Sequence, residues 1–299
     1  MWLWLAIGSA FLLGFYDVAK KKASYSNSVL NVLLYATGIA TVCFIPLILS
    51  SLFDWGLGDG TPMQMMKGTV TDHLLLILKS LIVTSSWISG LIGLKHLPIT
   101  TAGTIKASRP VFVLLGSVLI FAERPNALQW TGIIIAIFAL YLLGRSSKKE
   151  GIDFSRNKWI FWMFFAVFSG VASALLDKRL MLWMTPMFTQ SWCNFYITVI
   201  LALLTVILAA RNSEFYSKFH WDWNIFLIAF FLTISDFLYF YSLSVPGSLL
   251  SVISMIRRSS VIITFICGAI FFKEGRLKEK GIALIVLLAA MAVLVFGSR

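Results

Sequence analysis

Four basic side chains stand where an apolar sequence would exclude them. Lys106 and Arg109 fall near the middle of the apolar stretch from Ile99 to Glu123, and Arg257 and Arg258 near the middle of a second, from Pro246 to Glu274. A Lys or Arg at the centre of a bilayer costs roughly 2.5–3.5 kcal/mol on insertion scales, so such residues are retained with a counter-charge, a cavity or a ligand. Lys106 and Arg109 are three apart and share a helical face, whereas neighbours such as Arg257 and Arg258 diverge by about 100° and are expected to point differently. Together the four have the chemistry of an anion site, with Arg offering a bidentate fork to phosphate or carboxylate and Lys a point charge. The competing reading is internal neutralisation by Asp236, Asp17 or Asp177. Asp236 lies deepest, in LTISDFLYFYSL, and at least one arginine of the pair is expected to partner it, as an ion pair or as a coupling group.

Around these charges, Tyr239, Tyr241 and Trp87 could form a pocket wall that is apolar but carries a hydroxyl or indole donor. Asp17 and Asp177 each end an apolar run beside lysines and read as interfacial salt-bridging groups, as do Glu123 beside Arg124 and Glu274 beside Lys273. Pro110 directly follows Arg109 and frees a carbonyl one turn earlier, which predicts a kink at the charged centre. His73, His96 and His220 and the three cysteines show no ligand spacing, and no cofactor or metal is expected.

The elements that position these residues follow from composition. With 59% hydrophobic and 13% charged residues and a mean hydropathy of +0.88, the chain is too apolar for an ordinary soluble protein. The net charge of +12 is spread between apolar runs without a block of like charges, so lipid headgroups and topology, not nucleic acid, are its expected partners. A ruler of about 20 apolar residues per span finds ten spans, at 2–19, 29–52, 74–94, 98–121, 127–144, 159–177, 187–209, 223–244, 247–272 and 281–297, with Lys79 inside the third. The charged stretch 145–158 separates a first half, 1–144, from a second, 159–299.

The halves repeat. Lys106 precedes Glu123, and Arg257 precedes Glu274, by seventeen residues; Ser108 and Ser259 each lie fifteen before the same glutamates. Trp2 and Trp162 likewise precede Asp17 and Asp177 by equal intervals. Five spans per half, an odd number, require the second half to enter the membrane inverted. The expected fold is thus an all-α integral membrane protein of ten transmembrane helices in two inverted five-helix repeats, an architecture that places its site near the midplane between repeats. The basic residues gather after spans one, three, five, seven and nine, which by the positive-inside rule puts both termini outside the cytoplasm.

The phrase RPVFVLLGSVLIFAE, echoed by SVIITFICGAIFFKE, resembles the EamA-type branch of the drug/metabolite transporter superfamily over nearly the whole chain. That resemblance implies a basket of helices, alternating access, small-metabolite substrates, a bacterial cytoplasmic membrane and, against the charge count, cytoplasmic termini. Lys106 and the pair Arg257 and Arg258 sit where the related triose-phosphate and nucleotide-sugar translocators carry anion-binding residues, with Arg257 in place of the usual Lys and Arg109 as an addition. The expected function is secondary transport of a small organic anion held between spans four and nine. Proton-coupled export of amino acids or amphipathic metabolites through Asp236 is the alternative, and a membrane-embedded sensor or enzyme a second. No Walker pattern supplies ATP chemistry, and no nucleophile and base stand at usable spacing. The sequence fixes no oligomeric state.

Overall fold

The structure, a computed structural model, describes residues 2–53, 55–61, 63–113, 115, 126–149, 152, 154, 156–181, 183–211, 219–245, 253, 256–272, 274 and 277–297. Among them every regular element is helical. In chain order these are α1 (Trp2–Ser26), α2 (Val29–Phe53), α3 (Val70–His96), α4 (Ile99–Ala107), α5 (Ala127–Lys148), α6 (Lys158–Leu180), α7 (Pro186–Ala210), α8 (Trp223–Ser244), α9 (Ser260–Ile270) and α10 (Leu277–Gly297). Seven of them, α1 to α3 and α5 to α8, are long and apolar enough to cross a membrane.

Polar residues fix where these apolar rods begin. Thr69 and Asp72 form a reciprocal capping box at α3, as do Asn126 and Gln129 at α5. Asn157 caps α6, Asp222 caps α8, and Pro186 occupies the first turn of α7, where a missing N–H costs nothing. Inside the bundle, hydroxyls bind helix to helix. Ser9 and Ser235 exchange hydrogen bonds between α1 and α8, Ser86 donates to the Ala166 carbonyl between α3 and α6, and Thr41 meets Thr198 and Asn194 between α2 and α7.

The two charged stretches are both broken helices. α4 stops at Ala107, Ser108 makes a turn, and helix resumes at Arg109; in the second stretch Ile256 to Arg258 is helical, Ser259 turns, and α9 begins at Ser260. The bonds at the two breaks match. Ser108 donates its hydroxyl to Ile105 O at 2.6 Å and Ser259 does the same to Ile256 O at 2.6 Å, while each backbone N–H also turns back three residues. The break at Ser108 is the expected kink, since Pro110 has no N–H to continue the α-ladder.

Helix pairing follows one pattern through the bundle. α1 packs on α8 and α3 on α6; α2 on α7, α4 on α9 and α5 on α10; α1 also touches α9, and α6 touches α4. Small residues allow α4 and α9 to approach: a Cβ at Gly103 would lie 2.9 Å from the Thr264 hydroxyl, and one at Gly268 would lie 2.8 Å from Ile99 and Thr100.

Two sequence expectations change here. α1 runs to Ser26, past the expected end at residue 19, because Lys20 and Lys21 are buried in the bundle instead of marking its border. Lys21 donates to the carbonyls of Leu94 at 2.6 Å and Leu97 at 2.7 Å, closing the end of α3. These two lysines, and the fully buried Lys280, therefore drop out of the topology tally, without reversing its bias.

Glu274 is the second change. Its carboxylate accepts from the backbone N–H of Ile99 at 2.5 Å and of Thr100 at 3.1 Å, and from the Thr100 hydroxyl, contacts beyond the expected pairing with Lys273. A carboxylate here satisfies orphan amides and meets the positive end of α4. Glu274→Ala is expected to lower stability by about 1–2 kcal/mol, read as an earlier melt in detergent. Glu123, Arg124 and Lys273 lie outside the described residues, as does Pro246 at the start of the second charged stretch.

Candidate functional site: a cationic cavity inside the bundle

The helix breaks open onto a cavity of about 780 Å³, walled by α1, α3, α4, α6, α7, α8 and the stretch leading into α9. Its apolar lining includes Leu13, Val83, Trp87, Val167 and Leu232, and its charged lining comprises six cations and three carboxylates. The cations are Lys20, Lys79, Lys106, Arg109, Arg257 and Arg258; the carboxylates are Asp17, Asp177 and Asp236.

Each carboxylate is taken. Lys106 Nζ lies 2.7 Å from Asp17, tying α4 to α1. Lys79 Nζ lies 2.5 Å from Asp177, tying α3 to α6. Arg257 donates to Asp236 and stacks its guanidinium 4.2 Å from the centre of the Tyr239 ring, tying the start of the α9 region to α8. Three cations remain, and none forms an ion pair among the described residues. Lys20 donates to the Tyr16 hydroxyl at 3.0 Å, across one turn of α1. Arg109 donates to the carbonyl of Gly170, whose missing side chain makes room: a Cβ there would lie 2.9 Å from the guanidinium carbon. For Arg258, no hydrogen bond or ion pair forms among the described residues.

The pairing follows the equal spacings in the sequence. Lys106 and Arg257 occupy equivalent places two residues before each break, separated from it by Ala107 or Arg258, and each has an aspartate. Arg109 stands where the second half has Ser260, and Arg258 where the first has Ala107. These two unmatched arginines are among the cations left without a carboxylate. In an enclosed site such a surplus is an attractive field for an anion, and guanidinium groups supply directed donors to receive one.

Of the residues singled out from sequence, Lys106, Arg109, Arg257, Arg258, Asp236, Tyr239 and Trp87 all line the cavity. Tyr241 does not. It faces a separate space of about 150 Å³ together with Met187 and Phe237, because it lies two residues beyond Tyr239 and so on another face of α8. Arg257 and Arg258, expected to diverge, both reach the cavity. The turn at Ser259 interrupts the regular helix beside them, and long side chains close a 100° difference readily.

Sequence reasoning placed Asp17 and Asp177 at the membrane border, but both lie within helices and line the cavity. It passed over Lys20 and Lys79. Lys79 carried a usable signal, a lone charge inside an apolar run; Lys20 was masked by the run Lys20, Lys21, Lys22, which looks like a loop. The histidines pack: His96 stacks on Trp159, and His73 hydrogen-bonds the Tyr196 hydroxyl at 2.8 Å.

Helices long and apolar enough to cross a membrane, joined by hydrogen bonds around a charged cavity, define a multi-pass membrane protein. Residues 1–145 match the EamA-like transporter family, which supports the EamA-type branch of the drug/metabolite transporter superfamily. A solved structure titled only "Crystal structure of protein" is similar along 97% of this chain and 95% of its own length, with a TM-score of 0.62 and 14% identity, a likeness of fold alone. No curated protein matches the sequence.

Proposed function

We propose that this transporter is a secondary carrier of a small organic anion, held at the midplane beside the breaks in the fourth and ninth spans. The observation that carries the proposal is the three cations, Lys20, Arg109 and Arg258, left without a carboxylate in a cavity of about 780 Å³. We infer that the chain works as two inverted five-helix repeats, 1–144 and 159–299 joined by the linker 145–158, rocking about the shared site in alternating access. The matching turns at Ser108 and Ser259 support this, as does the pairing of α1 with α8 against α3 with α6. The reading keeps the expectation of a bacterial cytoplasmic membrane.

Charge explains why exchange is the favoured mode. An empty cavity carries its full positive surplus through the low-dielectric centre when it reorients, and an anion removes that penalty. The paired state of Asp236 weighs against the alternative of a proton-coupled exporter, because protonating Asp236 would leave Arg257 uncompensated.

The test is uptake into proteoliposomes preloaded with organophosphates or dicarboxylates. Uptake of labelled anion is expected to rise at least tenfold when the vesicles contain an anion, and not when they contain a neutral or cationic analogue. Transport driven equally by internal cations, or by a pH gradient alone, would sink the anion reading.

A further inference from the structure

Outside the charged cluster, among the described residues, one buried uncharged side chain lining the cavity has a polar atom without a partner. Gln190 on α7 is 8% exposed, lines the main cavity, and also lines the smaller space beside it with Thr61, Gln64, Phe237 and Tyr241. Its Nε2 donates weakly, at 3.4 Å, to the Thr233 carbonyl of α8, and its Oε1 has no hydrogen-bond partner. Asn194, one turn further along α7, is anchored instead: its Nδ2 donates to the Thr37 carbonyl at 3.2 Å and to the Thr41 hydroxyl at 2.9 Å. The two amides share a helix face, yet only one is spent on holding α7 against α2.

The orientation of the Gln190 amide follows from its neighbour. Thr233 presents a carbonyl, which can only accept, so the NH₂ end must turn towards it and the oxygen is left over. Buried carbonyl oxygens almost always find a donor, and one that has none beside a ligand cavity is free to accept from a ligand that reaches it. An oxygen of this kind selects. It gains a bond from an N–H or O–H, and it rejects a solute that arrives there with only C–H.

We propose that Gln190 is a specificity-determining residue of the cavity, its Oε1 accepting a hydrogen bond from a neutral hydroxyl or N–H group of the anion. The inference rests on the anion-carrier reading and narrows it to organic anions that carry such a donor apart from their charge. The unpaired arginines bind the acidic group, and Gln190 checks the rest of the molecule.

Two pairs of probes that differ by one hydroxyl test this in reconstituted protein: malate against succinate, and glycerol 3-phosphate against propyl phosphate. For at least one pair, the hydroxylated member is expected to exchange about tenfold better in the unaltered protein. Gln190→Leu, similar in volume and without an acceptor, is expected to bring that ratio to about one. Gln190→Glu keeps an acceptor and is expected to retain the preference at lower anion affinity, which separates lost recognition from lost folding. A protein with no hydroxyl preference in either pair, or a preference that survives Gln190→Leu, overturns the proposal while exchange itself still demands Arg258. If none of the four anions is exchanged, the anion-carrier reading falls with it.

Discussion

Arg258→Gln is expected to reduce anion exchange roughly ten- to a hundredfold and to leave the melting temperature of the solubilised protein unchanged or slightly higher. A hydrogen bond to a charged group contributes about 1.5–3 kcal/mol, and each 1.4 kcal/mol is tenfold in an equilibrium. Because no ion pair holds Arg258 among the described residues, its removal orphans no carboxylate and relieves repulsion from Arg109 and Arg257, which line the same cavity. The adjacent Arg257→Gln should behave in the opposite sense for stability, since it strips Asp236 of its partner. Exchange measured beside a thermal melt for both variants therefore separates a ligand-facing arginine from a structural one. Loss of folding in Arg258→Gln with a stable Arg257→Gln would reverse these assignments.

The sequence already placed seven of the eight site residues proposed from it at the cavity, and the reason is physical. Charges inside apolar runs are so costly that their positions survive any uncertainty about helix ends, and the equal spacings to Glu123 and Glu274 supplied an independent register for Lys106 and Arg257. Tyr241 was the exception because aromatics are ordinary in membrane helices, and depth alone does not say which face they occupy. Pairing was legible only in part. Asp236 with an arginine could be expected from proximity along the chain, but Lys106 with Asp17 and Lys79 with Asp177 join helices whose contact depends on the whole bundle. The role of Glu274 was hidden for the same reason: the amides it caps lie at the start of α4, about 175 residues earlier in the chain. Gln190 carried no sequence signal, since a single amide in an apolar helix is meaningful only once its neighbours are known.

Lys79→Met is the second large effect, and it tests whether the positive surplus is the working property of the cavity. Lys79 is 5% exposed and holds Asp177 at 2.5 Å. Removing one partner of a buried pair costs about 3–5 kcal/mol, because the other charge stays buried without compensation; the 21% exposure of Asp177 favours the lower end. The carboxylate also interacts electrostatically with Arg109. Once released from Lys79, it is expected to turn towards that guanidinium, so that the variant is both less stable and poorer at binding an anion. Replacing both partners, Lys79→Met with Asp177→Leu, returns the surplus of cations over carboxylates to its original value and frees Arg109 again. Stability and exchange should then recover together, measured by thermal melts and by anion counterflow in the same preparation. Recovery of stability without exchange would make Asp177 itself a participant in transport. Exchange that is unaffected by Lys79→Met would remove net charge as the basis of the site.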